Sequence, residues 1–387
     1  MTATPTRGDA VALTRALVAI DSRNPSLVSD GPGEGACALA LAQILERWGF
    51  RVEIQETVAT RPNVIARIGR AGGRALLFNG HLDTVGVEGM IHAPWDAEVR
   101  DGRIYGRGSS DMKSGIAAMC AAALRVADAD LDGEVIVAAV ADEEYESIGT
   151  RALVESGIRA EAAIVTEPTR LAICPAHRGF AWLELIVHGR AAHGSRYDIG
   201  VDAITLAGLA LAELDDYQRN VLSKKSHPLL GRPSFHASIV GGGLGLSTYP
   251  DRCSVQLERR TIPGETAADF TREVDEACAR VRARIPEFRA DCVPGFAQAP
   301  NEVAESHPLV RALSNSLARS GERGPIEGLP CWTDAALLTA AGIPAICFGP
   351  GDIGLAHSAE EYVEMGEIER ATTVLSGFVS EWFGGKS

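Results

Sequence analysis

The sequence predicts an α/β protein in which a mostly parallel sheet is covered by helices, interrupted by an inserted α+β domain. Four continuous apolar runs carry the first part: Ala75-Leu76-Leu77-Phe78, Val135-Ile136-Val137-Ala138-Ala139-Val140, Ala162-Ala163-Ile164-Val165 and Ala345-Ile346-Cys347-Phe348. Unbroken apolarity, as opposed to alternation, marks strands buried on both faces. Helical segments at 114–127 and 148–157 lie between the runs and give a βαβ order. The middle of the chain differs. Residues 181–188, 236–240 and 253–259 include period-two alternation, the pattern of a sheet with one wet face, and they surround helical stretches near 201–218 and 266–284. The expected division is a discontinuous domain of 1–178 and 297–387 with an insert of 179–296.

Composition supports a folded chain of this size. The 387 residues are 46% apolar and 23% charged, enough for two domains with sizeable cores. A net charge of −14 disfavours nucleic acid as a partner, because phosphate binding needs a basic face. The eight cysteines show no CxxC spacing and sit in apolar or helical contexts, so they read as reduced core residues of a cytoplasmic protein. The first residues lack an apolar stretch of signal-peptide length and read as a capped amphipathic helix over about 8–20. No apolar run reaches the length of a membrane span, so no membrane partner is expected.

The chemistry-bearing residues lie where the apolar runs stop. His81 and Asp83 follow the first run, Glu143 and Glu144 the second, and Glu167 the third, while His357 lies on the loop after the fourth. Open α/β sheets bind ligands in the crevice outside the carboxyl ends of their strands, so these side chains should converge on one edge. Asp111 comes from a glycine-rich loop, with Gly106 and Gly108, that opens the 114–127 helix toward the same edge. Imidazoles with carboxylates and no cysteine suit zinc, or cobalt or manganese in its place. So many carboxylates in one cleft would repel and raise each other's pKa values without cations. Two divalent metal ions largely neutralise them, and a carboxylate such as Asp111 can bridge such a pair.

These motifs, in this order over nearly the whole chain, resemble the M20 family of metallopeptidases and deacylases, which includes acetylornithine deacetylase, succinyl-diaminopimelate desuccinylase and glutamate carboxypeptidase. The resemblance implies that His81, Asp111 and Glu167 hold one metal, and Asp111, Glu144 and His357 the other. It implies that Asp83 hydrogen-bonds the ring of His81 and that Glu143 is the general base acting on water. The insert becomes a ferredoxin-like lid and dimerisation domain. Its Gly189-Arg190-Ala191-Ala192-His193-Gly194-Ser195 segment resembles the family's lid motif, implying that His193 stabilises the oxyanion in a neighbouring subunit of a homodimer. Arg260, in Glu258-Arg259-Arg260-Thr261, aligns with an arginine that binds the substrate carboxylate. Two positions depart from the family pattern: Ser247 stands where many relatives have asparagine, and Met112 follows the bridging aspartate where many have a polar residue.

Plainer readings stand beside these. His193 can be a turn residue with Ser195 capping the helix near 201, and Arg260 can form an ion pair with Glu258 or Glu265. Lys113 caps or neutralises its loop, and His177 makes a hinge contact. Trp332 and Asp334 would line the pocket, with Asp334 favouring a cationic amine. Gly349-Pro350-Gly351-Asp352-Ile353-Gly354 matches GxGxxG formally, but its proline and the absence of a following helix exclude a dinucleotide site. No GxSxG elbow accompanies a suitable triad. The expected activity is dizinc-dependent removal of an acyl group from an N-acyl amino acid. The alternatives are a di- or aminopeptidase acting on short peptides with the same site, and a catalytically silent binding protein.

Overall fold

The four apolar runs form four adjacent strands. In the computed structural model, which describes residues 5–58, 60–127 and 132–384, strands Gly133–Val140, Arg74–His81, Ala162–Val165 and Ala345–Cys347 neighbour one another in that order. All three pairings among them are parallel. Residues of these strands are almost all buried, as continuous apolarity requires. Arg51–Val58 and Arg61–Gly69 extend the sheet antiparallel beyond Gly133–Val140. On the other side Ile173–His177 joins antiparallel to Ala345–Cys347.

Helix Ser114–Arg125 lies under this sheet. Its sequence is apolar or small all round, and every residue from Ser114 to Leu124 is buried, as expected of a helix enclosed on all sides. Helices Ala10–Val18 and Met365–Trp382 contact its outer side. Asp9 caps the first of these by accepting from Ala12 N at 2.8 Å. The helix begins against the exit of strand Ala162–Val165: a Cβ at Gly115 would stand 2.0 Å from the carbonyl oxygen of Thr166. Glycine is what lets the helix approach the loop that carries Glu167.

Chain contacts divide the protein into two units. One runs through Pro175 and resumes over Glu302–Glu327 and from Thr333; the other comprises Ala176–Asn301 and Gly328–Trp332. The short stretch Gly328–Trp332 thus belongs with the insert, although it lies within the part of the sequence assigned to the first domain. The second unit runs strand, helix, strand, strand, helix, strand, with its antiparallel sheet ordered Ser234–Gly242, Arg252–Thr261, Gly179–His188, Arg289–Gln298. This is the ferredoxin-like arrangement. Ala181, Leu183, Leu185 and Val187 alternate into a core shared with helices Ala203–Asn220 and Ala267–Arg284. Asp202, not Ser195, caps the first of these helices, and a Thr266–Asp269 capping box starts the second.

None of the eight cysteines is in a disulfide, and six are buried. No helix among the described residues is long and apolar enough to cross a membrane.

Two glycines separate close approach from mere flexibility. Gly115→Ala should lower unfolding stability by about 1–3 kcal/mol through backbone overlap. Gly208 is exposed within helix Ala203–Asn220, and a methyl group there would have nothing within 4 Å. Its substitution by alanine should gain about 0.4–1 kcal/mol. Denaturant midpoints of the two variants check both signs.

Candidate metal centre

The loops at the carboxyl edge of the parallel strands bring together the seven residues singled out in the first unit. His81 is the last residue of strand Arg74–His81, and Asp111 sits in the tight Ser109–Lys113 turn that opens helix Ser114–Arg125, with a cis peptide to Met112. Asp111 faces both imidazoles. Its Oδ1 lies 3.0 Å from His81 Nε2 and its Oδ2 lies 3.4 Å from His357 Nε2. His357 Nε2 also lies 3.1 Å from Glu144 Oε1. Donor atoms of His81, Asp111 and Glu144 fall within 4.8 Å of one another, and so do those of His81, Glu143 and Glu167. His81, Asp111 and Glu167 are buried, whereas the side chain of His357 is half exposed.

The backbone carbonyl of Asp83 lies nearer the His81 ring than its carboxylate does. Nδ1 of His81 lies 3.0 Å from the backbone carbonyl of Asp83 and 3.6 Å from its carboxylate. A carbonyl can only accept, so Nδ1 carries a proton and donates to it, leaving Nε2 as the ring nitrogen that faces Asp111. The Asp83 carboxylate is occupied elsewhere. It accepts from the backbone N–H of Glu143 at 3.1 Å, from that of Glu144 at 3.2 Å and from Asn24 Nδ2 at 2.8 Å. It therefore fixes the backbone of the acidic pair as well as lying beside the ring.

The electrostatics are those of a cation site. Burial pushes the carboxyls of Glu143, Glu144 and Glu167 up, and neighbouring carboxylates push Glu143 and Glu167 further. Hydrogen bonds to Asp111 and Glu144 push His357 up to about 10. Burial opposes the charge on His81, yet its bond to Asp111 raises it well above the ordinary imidazole value. Asp111 stays low because both imidazoles bond to it against the cost of its burial. Glu167 Oε1 is buried without a hydrogen-bond partner, which a metal ligand explains. The donor set and this orphaned oxygen fit divalent metal ions.

A cluster of this composition at the carboxyl edge of an α/β sheet defines a metal-dependent hydrolase of amide C–N bonds. The particular family follows from comparison: the chain belongs to peptidase family M20/M25/M40, whose model matches residues 77–381. An acetylornithine deacetylase of Myxococcus xanthus is 32% identical over 88% of this chain and 90% of its own length. An N-formyl-4-amino-5-aminomethyl-2-methylpyrimidine deformylase of Bacillus subtilis is 27% identical, covering 88% of each chain. Among solved structures, the aminopeptidase PepT of Bacillus cereus superposes with a TM-score of 0.80 at 20% identity, over 98% of this chain and 99% of that one. A dinuclear metal-binding M20 peptidase of Bacillus subtilis reaches 0.75 at 16% identity, over 97% and 98%. Those two likenesses concern the fold.

The expectation for Asp334 needs revision. Asp334 does not line an open pocket: it is 1% exposed, accepts from Thr150 Oγ1 at 2.6 Å, and burial pushes its carboxyl up to about 6. Trp332 belongs to the second unit, where its indole donates to the Ala299 carbonyl. Lys113 is buried and donates to the carbonyls of Leu17 and Ile20 at the end of the first helix. Within the second unit, His193 is exposed and its Nδ1 lies 2.8 Å from Ser195 Oγ. Arg260 is paired with Glu258 and lies over the ring of Phe180. His177 bonds the Arg178 carbonyl, and burial pushes its imidazole down to about 4.

Sequence reasoning missed the supports of the Asp111 turn. Glu361 is fully buried and accepts from the N–H groups of Ser110 at 3.0 Å and Asp111 at 3.1 Å. Arg107 balances it at 2.6 Å. Only the position of Glu361, one turn of chain after His357, hints at this in the sequence. Glu361→Ala would leave Arg107 buried without its counter-charge, a change that costs about 3–5 kcal/mol. Chemical denaturation should show that loss, and Arg107→Met in the same background should recover part of it.

Proposed function

We propose that the protein is a dimetal amidohydrolase that removes an acyl group from an N-acyl amino acid. The observation that carries this reading is Asp111, whose two carboxylate oxygens each face a different imidazole. That is the disposition of a bridging ligand between two cations. His81, Asp111 and Glu167 would hold one ion, and Asp111, Glu144 and His357 the other, zinc being the first choice and cobalt or manganese its substitutes. Bound ions of this kind supply Lewis acidity, polarising an amide carbonyl and lowering the pKa of water.

The remaining work falls to side chains. Glu143, beside His81 and Glu167, takes the proton of the attacking water and returns it to the leaving amine. Burial and the charge of Glu167 push the Glu143 carboxyl up. Bonding of the Glu143 N–H to Asp83 restrains where its carboxylate can reach. His193 of a second copy would stabilise the oxyanion; Ser195 occupies its Nδ1 and leaves Nε2 for that task. Arg260 would bind the substrate carboxylate, exchanging its partner Glu258 for the ligand. Strand Ser234–Gly242 is an edge of its sheet, and Ile239, Val240, Leu244 and Leu246 near it are strongly exposed. Such a surface favours a homodimer built through the second unit. Both curated relatives are named for removing an acyl group, acetyl in one and formyl in the other.

Two experiments test the reading. Zinc-loaded protein should hydrolyse one or more acetyl, formyl or succinyl amino acids, lose activity to a chelator and regain it with zinc. Cleavage of free dipeptides without any N-acyl amino acid would replace the deacylase with a peptidase. Turnover of neither panel by zinc-loaded protein would make it a binding protein. Glu143→Gln should lower kcat by about 10²–10⁴-fold with zinc content unchanged; full activity would remove Glu143 from the role of base.

A further inference from the structure

We infer that Asn24 and Arg61 are positioning residues for the metal centre, setting the gap between the loop that carries His81 and the turn that carries Glu143 and Glu144. This rests on the assignment of those residues to the site. Asn24 is fully buried. Its amide nitrogen donates to two carboxylates on different loops: Asp83 Oδ2 at 2.8 Å and Asp142 Oδ1 at 3.0 Å. Asp83 follows strand Arg74–His81, whereas Asp142 follows strand Gly133–Val140. One NH2 group therefore ties the ends of two parallel strands together where their ligands emerge.

The tie continues inward. Arg61 forms a two-pronged bond to Glu34, at 2.9 and 2.6 Å, and its NH1 reaches Asp142 Oδ1 at 2.8 Å. Glu34 in turn accepts from the Asp142 N–H at 3.0 Å. Asp142 has a φ of +69°, a conformation that residues with a Cβ seldom adopt. Its Oδ2 also accepts from the N–H groups of Glu146 at 3.2 Å and Ile148 at 3.4 Å. Every one of Asn24, Glu34, Arg61, Asp83 and Asp142 is buried.

Such a cluster is not ordinary core packing. Glu34 and Asp142 pair with the one guanidinium, while Asp83 has Asn24 and backbone N–H groups, so three buried carboxylates share one cation. Buried ion pairs contribute little net stability compared with apolar packing, so stability alone does not account for it. Geometry does. The Asp83 carboxylate that Asn24 orients is the acceptor for the N–H groups of both Glu143 and Glu144. Without the amide, Asp83 and Asp142 face each other as like charges, and the turn opens away from His81.

The test uses Asn24→Ala and the equal-sized Asn24→Asp, which removes the donors and adds a third facing carboxylate. Zinc affinity of the folded protein is read by competition with a chromophoric chelator, and kcat and KM are read on the best N-acyl amino acid. We expect zinc affinity to fall about 10–100-fold, with more loss for Asp than for Ala. In zinc-saturated enzyme kcat should fall while KM stays within about twofold. Phe378→Leu, a core change in helix Met365–Trp382, should lower the melting temperature and leave both readouts unmoved. Should either Asn24 variant fail to fold, Arg61→Lys keeps the charge, loses the fork to Glu34 and is judged on the same two measurements. Zinc affinity and kcat within about twofold of the parent in a folded variant would overturn the proposal. So would a Phe378→Leu effect as large as that of Asn24→Ala. The zinc measurement needs no substrate, so it decides the positioning role even if no acyl amino acid is hydrolysed.

Discussion

Buried negative charge at the carboxyl edge of the parallel strands is the constraint around which the first unit is built. Asp111, Glu143, Glu144 and Glu167 crowd one cleft, with Asp83, Asp142, Glu34 and Glu361 directly behind them. Carboxylates in a low-dielectric interior are tolerated only when hydrogen bonds, cations or protons meet them. The two layers solve this differently. Those behind the cleft are satisfied by the protein itself, through Arg61, Arg107, Asn24 and backbone N–H groups. Those in the cleft have the two imidazoles and one another, and Glu167 Oε1 has no partner. The carboxylates behind the cleft are thus satisfied within the protein, and those in front form the candidate metal site.

The scaffold shows a common device used twice. Asp83 accepts the two adjacent N–H groups of Glu143 and Glu144, and Glu361 accepts the two adjacent N–H groups of Ser110 and Asp111. In each case a buried carboxylate holds the backbone of a turn that carries a candidate metal ligand. Charge-assisted bonds of this type are shorter and stronger than neutral ones, so the turns are held where loop backbone alone would wander. Placing donors on pinned turns next to rigid strands gives the pre-organisation that metal chemistry requires.

The parts visible in the sequence are those with a strong local signature. Continuous apolar runs locate the parallel strands, and the donors lie directly after those runs, so His81, Glu143, Glu144 and Glu167 can be named from position. Period-two alternation marks the second unit in the same way. What stays hidden depends on contacts between distant segments. Asn24 in Arg-Asn-Pro resembles any turn asparagine, and Arg61 lies in an antiparallel strand whose partner is not evident from the chain. Nothing local tells that they meet over Asp142. Asp83 is legible but the direction of its bond is not, because a His-x-Asp spacing allows either the carbonyl or the carboxylate to face the ring. Asp334 reads as a pocket residue beside Trp332, yet its side chain is enclosed by Thr150 and the helix it opens.

The bonds from Glu361 back to Ser110 and Asp111 span 251 and 250 positions. During synthesis, every strand of the parallel sheet is made before this carboxylate exists. Until it arrives the Asp111 turn lacks its acceptor, Arg107 lacks its counter-charge, and His357 has only just emerged. The Asp111 turn is therefore completed only when a segment 250 positions further along the chain has been made.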